Sequence, residues 1–253
     1  MKRRLDVLLV ERGLAESRAQ AQALVLAGRV PGYEKAGQQV DESAELTVTS
    51  APRFVSRGGE KLEHALEVFG VDVAGRYALD VGASTGGFTD VLLQRGAARV
   101  IALDVGYGQL HPRIRDDPRV TVLERTNVRE TRELPFAPQL VVCDVSFVSV
   151  RKALPRALAL AAPGWEAVVL VKPQFEAGRG DAPRGVVRDR EVWRRVLREV
   201  AADAPGWGAQ VAGVVDSGLP GPKGNREFFL QLVQRERPEN PDELEDWIDD
   251  AIA

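Results

Sequence analysis

The sequence predicts an α/β protein whose main domain is a doubly wound, mostly parallel sheet of seven strands. Short apolar runs with the length of buried strands alternate with helical segments along most of the chain. A glycine-rich turn follows one of these runs at Gly82, and Lys172 and Pro173 follow another. Ligands bind beyond the carboxyl ends of the strands in such sheets, so both turns indicate a binding site.

The order of the elements follows from where the apolar runs fall. The predicted strands are 77–81, 99–103, 120–123, 139–143, 167–171, 210–215 and 227–233, and the predicted helices between them are 87–95, 150–161 and 189–203. The last two strands are joined by the Gly/Pro-rich segment 217–225, which contains no helix. Because a connection this short joins antiparallel neighbours, we expect six parallel strands with one antiparallel strand at the edge.

The N-terminal residues 1–49 predict a separate small unit. Apolar residues have helical spacing in two segments, and Ser17 and Gly28 fit the N-cap and C-cap of the second helix. Val30 and Glu45–Thr49 predict short strands. Four segments follow from these patterns: unit 1–49, a linker 50–55 broken by Pro52, a main domain 56–235 that opens with a helix, and an acidic tail 236–253.

Composition excludes several classes of protein. The chain is 44% hydrophobic and 28% charged, as in soluble globular proteins, and no apolar run approaches the ~18 residues of a membrane span. The run 7–10 is too short for a signal peptide, so we expect a cytoplasmic protein without membrane contact. Cys143 is the single cysteine, and His64 and His111 are the two histidines, so we expect no disulfide and no metal.

The net charge of −3 hides an uneven distribution of charge. The tail 236–253 carries eight acids and one base, whereas residues 2–29 and 151–200 each have an excess of bases. Two basic regions fit a polyanionic partner such as RNA or DNA. Solvated helix faces are the plainer explanation of the same pattern.

The glycine turn Gly82-Ala-Ser-Thr-Gly-Gly87 lets backbone approach a ligand ahead of a helix N-terminus. Its spacing differs from that of the G-x-G-x-x-G dinucleotide turn, so NAD is a weaker interpretation, and a purely structural turn is another. Asp80 precedes the turn. Asp104 ends the next predicted strand, where an acid can accept hydrogen bonds from a ribose diol.

This turn, Asp80-Val-Gly-Ala-Ser-Thr-Gly-Gly-Phe88, resembles the cofactor motif of the FtsJ-type RNA methyltransferases. The resemblance implies a Rossmann-like class I methyltransferase domain that binds S-adenosylmethionine. It implies that Asp104 holds the ribose hydroxyls, that Asn127 lies near the adenine and that Asp144 lies near the sulfonium and the acceptor. The cofactor-binding residues that it implies are Asp80, Gly82, Ser84, Gly86, Gly87, Phe88, Asp104, Asn127 and Asp144.

FtsJ-type 2′-O-methyltransferases use a Lys-Asp-Lys-Glu set in chain order. The residues here that match it are Lys61, Asp144, Lys172 and Glu227. A ribose hydroxyl is a poor nucleophile until its proton is removed or shared. The resemblance thus implies that Lys172, as a neutral amine close to a second lysine, accepts that proton, and that the two carboxylates orient the amines.

The N-terminal unit resembles the S4 RNA-binding domain, through Arg4-Leu5-Asp6, Glu11-Arg12-Gly13-Leu14, Ser17-Arg18 and Gly28-Arg29-Val30. That likeness implies that Arg4, Arg12, Arg18 and Arg29 face RNA phosphates. An S4-like unit joined to an FtsJ-like domain resembles the TlyA (haemolysin A) family over residues 3–235. Family likeness implies 2′-O-methylation of cytidine in 16S and/or 23S ribosomal RNA by a bacterial enzyme.

Four other functions compete with this one. Base amino methylation typically uses an Asn/Asp-Pro-Pro-aromatic turn, where this chain has Asp144-Val-Ser-Phe147. Carbon methylation needs a nucleophilic cysteine, and Cys143 is expected in the core. The alternatives of another class are an RNA-binding ribosome-assembly factor with a vestigial cofactor pocket, and a cytolysin, for which the chain lacks an amphipathic membrane segment.

Overall fold

The chain forms two compact units, Met1–Arg53 and Phe54–Ala253. The computed structural model describes residues 2–49, 52–178, 180–221, 223–234 and 241–253. The boundary falls inside the predicted linker 50–55, whose residues 50 and 51 lie outside the described residues. Phe54 is buried in a core of the second unit, and the Val55 amide donates to Asp90 at 2.9 Å, so both residues pack with that unit.

The first unit is a two-stranded antiparallel sheet with two helices over a small apolar core. Its elements are β1 (Lys2–Arg4), α1 (Leu5–Glu11), α2 (Arg18–Leu26) and β2 (Gln39–Asp41). Ser17 caps α2 as expected, since its side chain accepts from the Gln20 amide at 3.2 Å. The expected strands at Val30 and Glu45–Thr49 are wrong: Pro31 and Gly32 turn the chain after Val30, and neither segment pairs with a strand among the described residues.

The second unit alternates strands and helices as the sequence predicts. Its strands are β3 (Tyr77–Val81), β4 (Arg99–Leu103), β5 (Val120–Leu123), β6 (Leu140–Cys143), β7 (Glu166–Val171), β8 (Ala209–Asp216) and β9 (Phe228–Gln234). Its helices are α3 (Arg57–Phe69), α4 (Gly87–Gln94), α5 (Pro112–Arg115), α6 (Val150–Ala159), α7 (Pro173–Glu176), α8 (Arg190–Asp203) and α9 (Pro241–Ile252).

The seven strands form one sheet in the order β5-β4-β3-β6-β7-β9-β8, in which β9 runs antiparallel to both of its neighbours, β7 and β8. Six parallel strands and one antiparallel strand confirm the predicted fold class. The expected edge position of the antiparallel strand is wrong, because β9 lies between β7 and β8. Phe228 and Phe229 on β9 are fully buried on opposite faces, which a strand paired on both sides allows.

Helices cover both faces of this sheet and enclose two apolar cores. Side chains of α6, α8 and α9 pack on one face, and side chains of α3, α4 and α5 pack on the other. Because β3, β4, β6 and β7 run parallel, their carboxyl ends lie side by side along one end of the sheet. Because β9 is antiparallel, its amino end, which follows Glu227, lies at the same end.

The part of the acidic tail that the structure describes forms helix α9 (Pro241–Ile252), which packs on the main domain. Ile248 is fully buried in the core beneath α8. On the outer side, Arg194 pairs with Asp249 and Arg198 pairs with Glu245, each at 2.6 Å. Part of the basic charge that the sequence places in 151–200 is thus neutralised within the protein.

Candidate active site

The glycine turn between β3 and α4 is shaped by close packing of backbone. Gly82 has a φ of 86° and Gly86 a φ of 93°, which favour glycine. A β-carbon on Gly82 would collide with the carbonyl oxygen of Asp144, since Val81 pairs with Cys143 in the sheet. The turn and Asp144 therefore form one continuous surface.

Two cavities open at this turn. The larger, of about 500 Å³, is lined by apolar side chains and by Gly82, Ser84, Asp104, Asn127 and Asp144 of the predicted cofactor set. The smaller, of about 130 Å³, adds Gly87 and Phe88. The larger volume is in the range of small-molecule sites. Gly86 and Asp80 line neither cavity: Gly86 packs against Leu110, and Asp80 is fully buried.

Asp104 and Asn127 are fixed by short hydrogen bonds to loop backbone. The Asp104 carboxylate accepts from the Gly106 amide at 2.6 Å and from the Ser84 amide at 2.8 Å. The Asn127 side chain accepts from the Arg129 amide at 3.1 Å. A carboxylate held this way keeps further lone pairs for ribose hydroxyls. The ribose hydroxyls of a nucleoside thus find an acceptor at Asp104, and the glycine turn leaves room that a β-carbon would fill.

The four residues of the predicted Lys-Asp-Lys-Glu set form two ion pairs. Lys61 Nζ lies 2.6 Å from Glu227 Oε2, and these side chains are 9% and 2% exposed. Lys172 Nζ lies 2.5 Å from Asp144 Oδ1. Strand register brings one ion pair beside the other. Val171 at the end of β7 lies opposite Phe228 at the start of β9. Lys172 comes directly after Val171 and Glu227 directly before Phe228, so these two residues are close together.

The charges of the two pairs act on each other. Burial raises the pKa of Asp144, and Lys172 opposes that rise. The charge of Glu227 raises the pKa of Asp144 further, and that of Lys61 lowers it. All four groups are thus close enough to be electrostatically coupled.

Two neutral side chains that the sequence prediction missed contact these pairs. Gln174 Nε2 donates to Glu227 Oε1 at 3.1 Å, and Lys172 Nζ donates to Ser146 Oγ at 2.9 Å. Both residues follow strand ends, two positions after Lys172 and Asp144. A polar residue so close after the carboxyl end of a strand, where ligands bind, is the sequence feature that could have identified them.

An exposed aromatic ring lies at the mouth of the larger cavity. Phe147 is 92% exposed, lines that cavity and has a φ of 65°, which is unusual for a bulky residue. Its ring centroid lies 5.2 Å from that of Phe175. Glu176 holds the same loop, because it accepts from Ser149 Oγ at 2.5 Å and from the Val150 amide at 2.8 Å.

Asp80 lies beneath the glycine turn as a fully buried carboxyl group. Its Oδ2 accepts from Thr89 Oγ1 at 2.7 Å, and its Oδ1 has no hydrogen-bond partner among the described residues. Burial raises the pKa of Asp80 to about 7, the charges of Asp144 and Asp104 add to the rise, and Thr89 opposes it. Asp80 is thus a support of the turn rather than part of the cavity wall.

Replacing Asp80 by asparagine changes how stability depends on pH. Between about pH 4 and pH 7 the native state keeps a proton on Asp80 that the unfolded state has lost, so the stability of the native state falls as pH rises. We expect Asp80→Asn to remove up to ~1.4 kcal/mol per pH unit of this slope. Urea unfolding followed by tryptophan fluorescence measures it, because all four tryptophans lie in the second unit. Exposed Asp116→Asn is the control, and an unchanged slope in Asp80→Asn contradicts the prediction.

The four arginines predicted to face RNA all make contacts within the first unit. Arg4 and Arg18 pair with the fully buried Asp6 at 2.9 and 3.2 Å, and they hold the pKa of that carboxyl well below its usual range. Arg12 donates to the carbonyl oxygens of Ala44 and Glu42. Arg29 donates to that of Thr49 at 2.8 Å. The side chains of Arg4 and Arg18 remain 44% and 58% exposed.

Residues 54–234 match the FtsJ-like methyltransferase family, and residues 3–30 match the S4 domain. The 16S/23S rRNA (cytidine-2′-O)-methyltransferase TlyA of Mycobacterium tuberculosis is 48% identical over 260 residues, which cover 99% of this chain and 97% of that relative. The chain belongs to the TlyA family of FtsJ-like methyltransferases. The predictions of this family and of a methyltransferase are confirmed.

Two further members carry the other name of the TlyA family. Hemolysin A of Brachyspira hyodysenteriae is 37% identical, over 91% of this chain and 99% of the relative. The solved structure of a candidate hemolysin from Streptococcus thermophilus has a TM-score of 0.77 and 41% identity, over 99% of this chain and 95% of that one. Among the described residues no helix is long and apolar enough to cross a membrane, and no group of histidine, cysteine and acidic residues could hold a metal ion.

Proposed function

We propose that this protein transfers a methyl group from S-adenosylmethionine to the ribose 2′-hydroxyl of a cytidine in 16S and/or 23S ribosomal RNA, and that it acts in the cytoplasm. The observation that carries the proposal is the meeting of the pairs Lys61–Glu227 and Lys172–Asp144 beside the glycine turn. Relatives named for this activity match almost the whole chain. The S4 domain adds a module for binding RNA.

The cofactor would be held by the larger cavity, with Asp104 at its ribose and Asn127 near its adenine. When bound, S-adenosylmethionine supplies an electrophilic methyl group, whose carbon–sulfur bond breaks with the electron pair going to sulfur. The carboxylate of Asp144 lies beside the glycine turn, where it can balance the sulfonium charge.

The protein's own contribution is to remove a proton and to align the acceptor. Lys172 follows β7, its side chain is 11% exposed, and its ion-pair partner Asp144 lines both cavities. As a neutral amine it takes the hydroxyl proton and becomes an ammonium, while the oxygen keeps the electron pair for its new bond. Asp144 balances that ammonium, and Glu227 balances Lys61. Arginine cannot replace Lys172 in this role, because it does not lose its proton.

A direct test uses purified protein with ribosomal RNA and ribosomal subunits from a strain that lacks the corresponding gene. We expect S-adenosylmethionine to be consumed and 2′-O-methylcytidine to be found by mass spectrometry of nuclease digests. Reverse transcription at limiting nucleotide concentration then locates the nucleotide. Label found on the base, or RNA bound without methylation, contradicts the proposal, and the second result supports an assembly factor.

Phe147 is suited to hold the target nucleotide, because exposed aromatic rings stack on unpaired bases in RNA recognition. We expect Phe147→Ala to raise the KM for RNA about 10-fold to 100-fold, since stacking on one base contributes about 1–3 kcal/mol. Phe147→Tyr keeps a ring and should retain the KM. Calorimetric titration with S-adenosylmethionine is the control, and an equal loss of cofactor affinity would mean that Phe147 holds the cofactor and not the target nucleotide.

A further inference from the structure

The amine of Lys172 contacts two acceptors that lie on one loop. Asp144 Oδ1 is 2.5 Å from Nζ, and Ser146 Oγ accepts from Nζ at 2.9 Å. Both residues follow β6, and both line the larger cavity. Ser146 is exposed, so packing in the core does not account for the position of its hydroxyl next to Lys172 Nζ.

The geometry of a primary amine gives the second contact a chemical meaning. The nitrogen of a neutral primary amine has four tetrahedral directions. One is its bond to carbon, two are N–H bonds and the fourth is the lone pair. Ser146 accepts one N–H. Asp144 Oδ1 makes an ion pair with Nζ at 2.5 Å outside hydrogen-bond geometry, and a small rotation of this carboxylate lets it accept the other N–H. Once both N–H groups are engaged, the lone pair is confined to the one direction that remains. A single acceptor would leave the amine free to rotate about its bond to carbon.

We propose that Ser146 is a positioning residue that, together with Asp144, aims the lone pair of neutral Lys172 at the acceptor hydroxyl. This inference rests on the proposed function, because it assumes that Lys172 accepts the proton of a ribose hydroxyl. In the step itself the O–H bond breaks and an N–H bond forms on Lys172. The electron pair stays on oxygen, and Ser146 neither gains nor loses a proton.

Ser149 offers a matched contrast three residues further on. Its hydroxyl donates to Glu176 at 2.5 Å and accepts from the Arg151 amide at 3.1 Å, as a cap of α6. Removing the Ser149 hydroxyl therefore disturbs the same loop without touching the amine. Ser146→Thr keeps a hydroxyl and is the conservative variant.

The experiment compares Ser146→Ala, Ser146→Thr and Ser149→Ala in the full-length protein. We expect Ser146→Ala to lower kcat about 10-fold to 100-fold, the effect of one lost hydrogen bond to a charged group, with the KM for RNA unchanged. The acid limb of its pH–rate profile moves to lower pH, because the ammonium form loses an acceptor that stabilised it. Ser146→Thr restores both values, and Ser149→Ala lowers thermal stability without moving the profile.

A measurement on the ligand-free protein tests the same contact without turnover. Acetic anhydride reacts with neutral amines, and mass spectrometry of peptides gives the acetylation rate at Lys172. We expect this rate to rise in Ser146→Ala and to stay at the wild-type value in Ser146→Thr and Ser149→Ala. An unchanged acetylation rate together with an unchanged pH–rate profile in Ser146→Ala overturns the inference.

Lys172→Arg separates this inference from the proposed function. If Lys172→Arg is inactive while Ser146→Ala behaves as wild type, only the role of Ser146 fails. If Lys172→Arg keeps the wild-type rate, the proton-acceptor role fails and the inference falls with it.

Discussion

Lys172→Arg lowers the rate constant of methyl transfer about 100-fold to 10,000-fold, the usual contribution of a general base. The guanidinium keeps a positive charge beside Asp144, so the ion pair and the local charge balance survive. What it loses is the ability to exist as a neutral amine at any pH in which the protein is folded. Single-turnover measurement with preformed cofactor complex isolates the methyl-transfer step from product release.

The controls for Lys172→Arg separate chemistry from folding and binding. We expect S-adenosylmethionine affinity by calorimetry and the unfolding temperature to stay near the wild-type values. Lys152 is an exposed lysine on α6, and Lys152→Arg should leave the rate constant unchanged. A Lys172→Arg variant that keeps more than about a tenth of the rate would mean that charge alone suffices.

Glu227→Gln destabilises the second unit by about 3–5 kcal/mol, the usual cost of removing one partner of a buried ion pair. Lys61 then keeps its charge in a place where its side chain is 9% exposed, without a carboxylate to balance it. For a unit of this size the unfolding temperature falls by roughly 10 °C. Differential scanning calorimetry measures the fall, and Glu227→Gln should also reduce methyl transfer.

Two further variants decide what the loss at Glu227 means. The double variant Lys61→Met with Glu227→Gln removes both charges, so we expect it to regain stability without regaining methyl transfer. Glu245→Gln breaks the exposed pair with Arg198, which is 50% exposed, and should cost less than about 1 kcal/mol. A Glu227→Gln variant that unfolds at the wild-type temperature refutes the assignment of a strong buried pair.

Local patterns in the sequence predict most of the elements that carry the site. The apolar runs give the strands to within one or two residues, since a strand buried on both faces leaves a continuous run whatever its neighbours are. These apolar runs also show that Gly82 and Lys172 each follow a strand, which is where a ligand binds in such a sheet. In the first unit the pattern fails at Val30 and at 45–49, because burial of single apolar residues in a small core mimics a strand.

The pairing between segments that are distant along the chain could not be predicted from the sequence. The length of the 217–225 connection predicts that β8 and β9 are antiparallel, but not which of the two lies beside β7. The acidic tail has helical spacing, yet its match to the arginines of α8 exists only once both helices lie on the same face of the sheet. Gln174 and Ser146 likewise acquire partners only through packing.

By itself, the order of residues determined the two-unit architecture and the glycine turn, since each depends on neighbours along the chain. The four charged side chains were identified by the resemblance to the FtsJ-type enzymes. Only the tertiary structure decided that Lys61 pairs with Glu227 and Lys172 with Asp144. The reason is physical: the sheet brings the carboxyl ends of β6 and β7 and the amino end of β9 together, α3 brings Lys61 to Glu227, and burial makes each unmatched charge costly.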